Sequence, residues 1–370
     1  MPDDHGEILL ELDGIVVLRG GNLAVDHVSL EVRGQEIAAL VGPSGCGKTS
    51  LLRAIAGLER CASGTVRIAG RVMSSEGCWI PAERRAVGMV FQEGALFPHM
   101  TVRDNVRYGV RGQPEERARV AHALDLVGIS AVDRRFPDQL SGGQQQLVAL
   151  ARALAPAPRI VLLDEPFANL DAGLRVRLRE KVRRILRSAR TTAILVTHDQ
   201  QEALSLADRV AVMQAGRVLQ VGAPEEVYNE PATVAVAEFI GGGQLIACSV
   251  RRGRLASELG ELPTDAPEGE ARLLVRPEDL RVLHPDAPDG LEAELLDRRF
   301  FGHDLLQEVR LPSGRVVEVR CTGPAPGARG CRVRVALRSG SFPVFRGDDA
   351  TRYAARLSRS DPSRSGINPA

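Results

Sequence analysis

The hydrophobic pattern of the chain is that of alternating strands and helices over its first two thirds. Residues 7–40 alternate apolar and polar positions around Gly20 and Gly21, which predicts an antiparallel pair of strands. Three later runs, EIAALVG, RIVLLDEP and TTAILVTHD, are continuously apolar and of strand length, as in a buried parallel sheet. A predicted helix follows each of them. We therefore expect an α/β domain over residues 1–240.

A helical segment interrupts this domain. From Gly94 to Leu140 the pattern becomes helical, with PEERARVAHALDLVGI carrying apolar residues at three-to-four spacing. A further helix follows Leu140. Together they predict a helical subdomain at about 94–158.

The pattern changes again at the glycine run of residues 241–243. Residues 244–350 form short alternating runs split by Gly and Pro, which predicts an all-β barrel or sandwich. Residues 351–370 are rich in Arg and Ser and are expected to form a disordered tail.

The composition narrows the class of protein. Forty-eight basic residues against 47 acidic ones give a net charge of +1, and no basic stripe indicates nucleic-acid binding. The six cysteines form no CxxC pair, so we expect free thiols in a reducing compartment. The N-terminus lacks a secretory pattern, and the apolar runs are too short to span a membrane. These features predict a soluble, cytoplasmic protein.

A phosphate-binding loop lies between a predicted strand and a predicted helix. The segment GPSGCGKTS, residues 42–50, fits G-x-x-x-x-G-K-[ST]. Its glycines allow backbone N–H groups to wrap phosphates, Lys48 would neutralise the β and γ oxygens, and Thr49 would bind Mg²⁺. Cys46 is interpreted as a small filler of the loop.

Polar side chains follow the other predicted strands. Asp164 would hold Mg²⁺ through its water shell, and Glu165 would act as the general base on the attacking water. His198 is expected to face the nucleotide crevice and contact the γ-phosphate. Gln92, at the end of GMVFQ, would reach Mg²⁺ or the water.

A second anion-directed helix start occurs at LSGGQQQ, where Ser141, Gly142 and Gly143 precede a helical pattern. One domain has one phosphate cradle, so this helix cannot serve the same ATP within one chain. Two copies related by a two-fold axis would place it over the γ-phosphate held by the other copy's Lys48. The sequence therefore predicts a homodimer that shares ATP.

These motifs, taken in order, resemble those of ATP-binding-cassette (ABC) ATPases. The resemblance covers residues 1–240, and it implies that Gln144 also contacts nucleotide and that Asp171, in NLD, crosses the dimer interface. The nucleotide-binding residues it implies are Gly42, Pro43, Ser44, Gly45, Cys46, Gly47, Lys48, Thr49, Ser50, Ser141, Gly142, Gly143, Gln144 and Asp171.

The resemblance also implies a fold and partners. The fold is an α/β P-loop NTPase domain with an inserted helical subdomain, followed by an OB-like, TOBE-type β domain for regulation or dimerisation. ALFPHMTVRDNV, within the region around 94–110, is similar to the stretch of importer cassettes that docks membrane permease subunits. An extracytoplasmic solute-binding protein would act indirectly, with the ATPase peripheral on the cytoplasmic face of the plasma membrane.

The nearest resemblance is to ferric-iron importers, through FQEGALFPHMTV and EFIGGGQ. Polyamine, thiamine, sulfate and phosphonate remain alternative cargoes. A non-transport ABC ATPase acting on nucleic acid or ribosomes is a further alternative. A P-loop kinase would have no use for the Ser-Gly-Gly-Gln helix. Relatives carry an adenine-stacking aromatic near position 19, and here Leu18 or Arg19 takes that place.

Overall fold

The computed structural model describes residues 6–92, 95–168, 170–323, 327–347 and 351–357, with the side chain of Thr351 left out. The chain divides into two compact units, with the border between Pro224 and Glu225. The first unit is α/β and the second is formed mainly by strands. The predicted fold class is confirmed. The border between the units falls earlier than the expected change at residues 240–244.

The described residues of the first unit form two sheets and six α-helices. Its strands are β1 (Ile8–Arg19), β2 (Asn22–Arg33), β3 (Ile37–Val41), β4 (Ser63–Ile68), β5 (Arg71–Ser75), β6 (Cys78–Trp79), β7 (Val87–Val90), β8 (Ile160–Asp164), β9 (Thr192–Thr197), β10 (Arg209–Gln214) and β11 (Arg217–Gly222). Its helices are α1 (Lys48–Ala56), α2 (Val102–Tyr108), α3 (Glu116–Val127), α4 (Gly142–Leu154), α5 (Ala172–Ser188) and α6 (Gln200–Leu206).

The larger sheet of this unit places the candidate residues at one edge. Its strand order is β11-β10-β3-β9-β8-β7, and all neighbours except β10 and β11 are parallel. Every residue of β3, β8 and β9 is buried, as continuous apolar runs predict. Because parallel strands end at the same edge, the segments that follow them meet there.

The smaller sheet of the first unit is antiparallel, in the order β2-β1-β4-β5-β6. Helix α1 shares one hydrophobic core with both sheets, and its Leu51, Leu52 and Ile55 are fully buried. Burying each such side chain stabilises the fold by about 1.5–3 kcal/mol. The core therefore fixes the helix that begins at the phosphate loop.

The segment before α2 is held by a single buried amide. Asn105 Nδ2 donates to the carbonyls of Phe97 (3.1 Å), Met100 (3.1 Å) and Thr101 (3.0 Å). Its Oδ1 accepts from the N–H of Phe97 at 2.8 Å. Thr101 caps α2 by accepting from Asp104 N. Residues 97–101 therefore have a fixed backbone.

The second unit is built on two antiparallel sheets. Its strands are β12 (Gln244–Arg251), β13 (Arg254–Ser257), β14 (Gly260–Pro263), β15 (Gly269–Val275), β16 (Leu280–Leu283), β17 (Leu291–Phe300), β18 (Leu305–Arg310), β19 (Val316–Cys321), β20 (Arg332–Leu337), β21 (Gly340–Arg346) and β22 (Thr351–Leu357). The sheet orders are β14-β13-β12-β15-β21-β22 and β16-β20-β17-β18-β19. Both sheets contribute to one core, which includes Leu273, Val309 and Phe342.

The expected disordered tail is wrong for its first part. Residues 351–357 form β22, which pairs with β21, and Ala355 is fully buried. The Arg and Ser content concealed an alternating pattern in which Tyr353 and Ala355 pack on the core. Residues 358–370 lie outside the described residues.

A buried arginine explains the early border of the second unit. Helices α7 (Pro224–Asn229) and α8 (Val234–Phe239) precede β12. Arg276 donates to the carbonyl of Ile240 (Nη1, 2.7 Å) and that of Tyr228 (Nη2, 2.5 Å), and it stacks 3.8 Å from the Tyr228 ring centroid. At Gly241 (φ +87°) a Cβ would lie 1.9 Å from Arg276 Nη1. The side chain thus binds the segment before β12 to the β domain.

We expect Arg276→Met to loosen this segment. The substitution removes two charge-assisted hydrogen bonds, to the carbonyls of Ile240 and Tyr228, each worth about 1.5–3 kcal/mol. Amide hydrogen exchange in α7 and α8 should accelerate markedly, measured by mass spectrometry on the full chain. The control is Arg254→Met, which breaks an exposed pair with Glu261 and should leave α7 and α8 unchanged. Unchanged exchange in Arg276→Met would contradict the clamp.

Candidate functional site

The phosphate loop fits tightly against two strands of the first unit. At Gly42 a Cβ would lie 2.1 Å from the carbonyl oxygen of Met213, at the end of the β10 region. Gly47 has φ +105°, and a Cβ there would lie 2.2 Å from the carbonyl oxygen of Ala24 in β2. Neither position tolerates a side chain without backbone movement. The two glycines therefore allow the loop to lie between β2 and β10.

Lys48 lies inside this loop. It is 4% exposed, and its Nζ donates to the carbonyls of Gly42 (2.8 Å) and Pro43 (3.0 Å). The Lys48 ammonium also contacts the buried Cys46, whose Sγ lies 3.7 Å from Nζ. Pro43, Ser44 and Gly45 are exposed. The loop thus presents a positive charge beneath an open backbone surface, as a bound phosphate requires.

The structure brings together Thr49 and Asp164, two of the predicted Mg²⁺ ligands. Thr49 Oγ1 donates to Asp164 Oδ1 at 3.1 Å. Burial raises the pKa of Asp164, and the hydrogen bond from Thr49 opposes this rise. A nearby cation would stabilise the charged carboxylate. Two hard oxygen donors side by side, one of them a buried acid, fit Mg²⁺.

Glu165 and His198 form the second pair of the site. His198 Nδ1 lies 3.1 Å from Glu165 Oε2, and the imidazole is half exposed. Glu165 has φ +44°, an uncommon conformation for a residue other than glycine, and its N–H donates to Val196 O in the neighbouring strand β9 at 2.9 Å. The sheet therefore fixes the backbone of the predicted general base beside the predicted phosphate-contacting histidine.

Gln92 lies at the same edge but further from the phosphate loop. It is exposed two residues after β7, the outermost strand of the parallel sheet and the neighbour of β8. The adjoining Glu93 and Gly94 lie outside the described residues. The topology thus places the amide at the Asp164 side of the sheet edge.

We call LSGGQ, residues 140–144, the signature motif and α4, which begins in it, the signature helix. This helix begins with a capping box. Ser141 N donates to Gln144 Oε1 at 3.0 Å, and Gln144 N donates to Ser141 Oγ at 3.4 Å. Ser141 and Gly142 are exposed, whereas Gly143 is buried. A Cβ at Gly143 would lie 3.2 Å from Leu174 of α5. The first N–H groups of a helix lack intrahelical acceptors, so the exposed start of α4 is of the kind that binds anions in other proteins.

Asp171 lies next to this helix start. It is exposed and caps α5, accepting from Leu174 N at 2.9 Å. At Gly142 a Cβ would lie 3.2 Å from the Leu170 side chain, so the turn before α5 packs on the start of α4. The preceding Asn169 lies outside the described residues. The structure therefore brings Asp171 together with the signature motif.

Sequence reasoning missed the acids behind His198. Asp199 caps α6 by accepting from Gln201 N (2.8 Å) and Glu202 N (3.3 Å). The buried Glu202 accepts from Thr197 Oγ1 at 2.6 Å, and burial raises its pKa. The signal was DQQE, in which a capping residue is followed three positions later by Glu at a helix start.

The predicted permease-docking region forms an aromatic surface. Phe97 and Tyr108 have ring centroids 4.5 Å apart, and Arg152 lies 5.5 Å from the Phe97 ring centroid. Tyr108 is 53% exposed, and His99 is also exposed. Phe97 itself is half-buried. Aromatic side chains that reach the surface on a fixed backbone are typical of protein interfaces.

The residues near position 19 form the end of the β1–β2 hairpin. Leu18 pairs with Leu23 and Arg19 with Asn22. The two leucines are 52% and 54% exposed. Both an apolar contact and a guanidinium therefore remain available as the surface for adenine.

Comparison with known proteins gives two family matches. The ABC transporter family matches residues 25–168, and the TOBE domain family matches residues 273–345. The solved structure of cbiO1 from Clostridium perfringens, described as part of the ABC transporter complex cbiONQ, superposes with a TM-score of 0.55. It is 29% identical and covers 60% of this chain and 91% of its own.

Curated relatives match over most of the chain. Fe(3+) ions import ATP-binding protein FbpC 1 of Rhodococcus jostii (strain RHA1) is 48% identical over 345 residues, which is 90% of this chain and 99% of the relative. FbpC 2 of the same organism is 47% identical over 308 residues, 82% and 88% of the two chains. Sulfate/thiosulfate import ATP-binding protein CysA 2 of Chromobacterium violaceum is 48% identical over 292 residues, 76% and 79%.

The phosphate loop, the acidic pair with its histidine and the capped signature helix agree with these matches. The predicted resemblance is confirmed. The chain belongs to the ABC transporter family, as one of its import ATP-binding proteins, which are ATPases coupled to transport.

Proposed function

We propose that this ATPase energises a ferric-iron importer. The observation that supports ferric iron as the cargo is the match to Fe(3+) import ATP-binding proteins, at 48% identity across 99% of one relative. No helix among the described residues is long and apolar enough to cross a membrane. Because its relatives are import ATP-binding proteins, we expect it to act through membrane permease subunits, bound peripherally at the cytoplasmic face of the plasma membrane. An extracytoplasmic solute-binding protein would supply the cargo.

We propose the aromatic surface of Phe97, His99 and Tyr108 as the permease contact. Asn105 fixes the backbone beneath it, so the surface is preformed. Residues 97–101 and α4 both lie in the predicted helical subdomain at about 94–158. A movement of α4 at the nucleotide would therefore be passed on to the proposed permease contact.

The second proposed partner is another copy of this chain. Ser141 and Gly142 are exposed at the start of α4, and Asp171 is exposed beside them. An anion-binding helix start on the surface is well placed to complete the site of a second copy. ATP would then lie between the phosphate loop of one copy and α4 of the other. The bound triphosphate would stabilise the dimer, and hydrolysis would weaken it.

The chemistry follows from the two side-chain pairs. Lys48 balances the charge on the β and γ oxygens of ATP. Glu165 accepts a proton from water as the water oxygen bonds to the γ phosphorus and the bond to the ADP oxygen breaks. His198, held beside Glu165, contacts the γ-phosphate and orients it. Thr49, Asp164 and Gln92 would hold Mg²⁺, which supplies further neutralisation of phosphate charge.

Other cargoes keep the same mechanism. The sulfate/thiosulfate import protein is also 48% identical, over 76% of this chain. Cargo is selected by the permease and receptor, so polyamine, thiamine, sulfate and phosphonate are alternatives that the transport experiment below separates. A role on nucleic acid or ribosomes is a weaker alternative, because the relatives are import proteins.

We expect Glu165→Gln to slow ATP hydrolysis by on the order of 10²–10⁴, because a general base is lost. The amide preserves size, so nucleotide binding should remain. Phosphate release at saturating ATP measures the effect. Glu180→Gln, an exposed change on α5, is the matched control and should keep full activity. Full turnover in Glu165→Gln would remove Glu165 from the mechanism.

We expect Ser141→Arg to block the ATP-held dimer without preventing nucleotide binding, since the arginine would fill the exposed helix start. The substitution is made in the Glu165→Gln background, where slow hydrolysis preserves the dimer for light scattering. Ser188→Arg adds the same charge at an exposed position on α5 and should dimerise normally. Dimers of normal stability in Ser141→Arg would exclude the shared site.

The cargo is tested in the reconstituted complex with its permease. Receptor loaded with ferric iron should stimulate ATP turnover above the basal rate. Receptors loaded with sulfate, polyamine, thiamine or phosphonate should not. Stimulation by one of these instead would replace iron as the cargo and leave the ATPase mechanism unchanged.

A further inference from the structure

One arginine contacts both loops that flank the candidate catalytic residues. Arg175 Nη2 donates to the carbonyl of Leu170 at 3.0 Å, directly before the exposed Asp171. Its Nη1 lies 3.6 Å from Asp199 Oδ2, directly after His198. We propose that Arg175 is a positioning residue for ATP hydrolysis, which holds the Leu170–Asp171 turn and the His198 loop in fixed relation.

The carboxylate that Arg175 meets is divided between two tasks. Asp199 Oδ1 caps α6 by accepting from Gln201 N and Glu202 N. Oδ2 faces α5, where it accepts from Arg179 Nη2 at 3.2 Å and pairs with Arg175. A displacement of Oδ2 therefore moves the cap of α6 as well. The ion pair and the helix start behave as one element.

The residue before His198 is held from the same side. Thr197 Oγ1 donates to Glu202 Oε2 at 2.6 Å and accepts from Asp199 N at 2.9 Å. Glu202 Oε1 lies 3.8 Å from Arg179 Nε, and the side chains of Glu202 and Arg179 are 4% and 9% exposed. This buried group fixes the floor of the loop, so His198 is anchored at both of its neighbours.

Arg175, unlike Arg179, also donates a hydrogen bond to the turn before α5, at the carbonyl of Leu170. Arg179 lies one helical turn further along and pairs with Asp199 and Glu202. Arg175, with its side chain 30% exposed, lies nearer the surface that carries Asp171. Arg179 therefore supports the fold of the loop, and Arg175 links the loop to the turn.

The consequence concerns His198. Its imidazole reaches Glu165 Oε2 at 3.1 Å, a distance sensitive to small shifts of the loop. Misplacement of a catalytic group by about 1 Å can cost on the order of 10²-fold in rate. The inference rests on the roles proposed above for Glu165 and His198, and it is independent of the cargo.

The experiment measures steady-state ATP hydrolysis by the full-length protein. In Arg175→Met we expect kcat to fall by about 10- to 100-fold, while KM for ATP changes by less than about twofold, because the phosphate loop is untouched. Arg175→Lys, which keeps a charge but cannot make both contacts, should lie between Arg175→Met and wild type. Arg177→Met, exposed and two residues further along α5, should keep wild-type values.

A double substitution separates positioning from a general structural role. If Arg175 acts through His198, adding Arg175→Met to His198→Ala should lower kcat by less than about twofold further, because interacting sites are not additive. Multiplication of the two losses would overturn the proposal. So would wild-type kcat in Arg175→Met, or a rise in KM without a fall in kcat.

Two further outcomes are distinct. Full activity in His198→Ala would overturn the proposed role of His198 and, with it, this inference. If Arg175→Met does not fold, as judged by circular dichroism, the proposal is decided by Arg175→Lys. A wild-type kcat in Arg175→Lys would then overturn it, and a reduced kcat at unchanged KM, absent in the His198→Ala background, would support it.

Discussion

The parallel pairing of β3, β9 and β8 is the constraint on which the site depends. In this register Val41 lies opposite Thr197, and Asp164 lies opposite Val196. The phosphate loop, the acidic pair and His198 follow these strands directly, so their separation is set by backbone hydrogen bonds in a fully buried layer. Because side chains alternate along a strand, a slip by one residue would turn Asp164 away from Thr49. The strand register thus fixes the relative positions of these residues, and their side-chain contacts follow from it.

Within that frame, local strain and charge are concentrated at the sheet edge. Glu165 adopts a left-handed conformation, Lys48 is buried against carbonyl groups, and burial raises the pKa of Asp164. Each feature costs free energy in the free protein. A triphosphate would offset the lysine charge, and a cation would offset the aspartate charge. Nucleotide binding should thus offset part of the free-energy cost of these buried charges.

The sequence could predict those structural features that are formed by residues close together along the chain. The phosphate loop needs its glycines and Lys48 within a few residues, and Ser141 and Gln144 cap α4 by themselves. Such patterns are visible in the letters alone. The buried strands were likewise predicted, because a continuous apolar run describes its own environment.

The parts that sequence could not predict depend on distant partners. Arg276 binds Ile240 and Tyr228, which lie 36 and 48 positions away, so the border between the units was expected too late. Strand β22 pairs with β21, and its Ala355 is bridged to Thr264, which is distant in the sequence. Arg175 looks like one of many exposed arginines on a helix until Asp199 is placed beside it. In each case the local sequence identified only the residue type, and contacts with residues distant in the sequence determined its structural role.

The four hydrogen bonds of Asn105 have a mechanical consequence. A soft loop beneath an aromatic surface would absorb a displacement by bending. Here three carbonyls and one amide are tied to a single side chain rooted in α2, so residues 97–101 resist deformation as a block. A rigid segment of this kind passes a small displacement of α2 on to the aromatic surface with little loss.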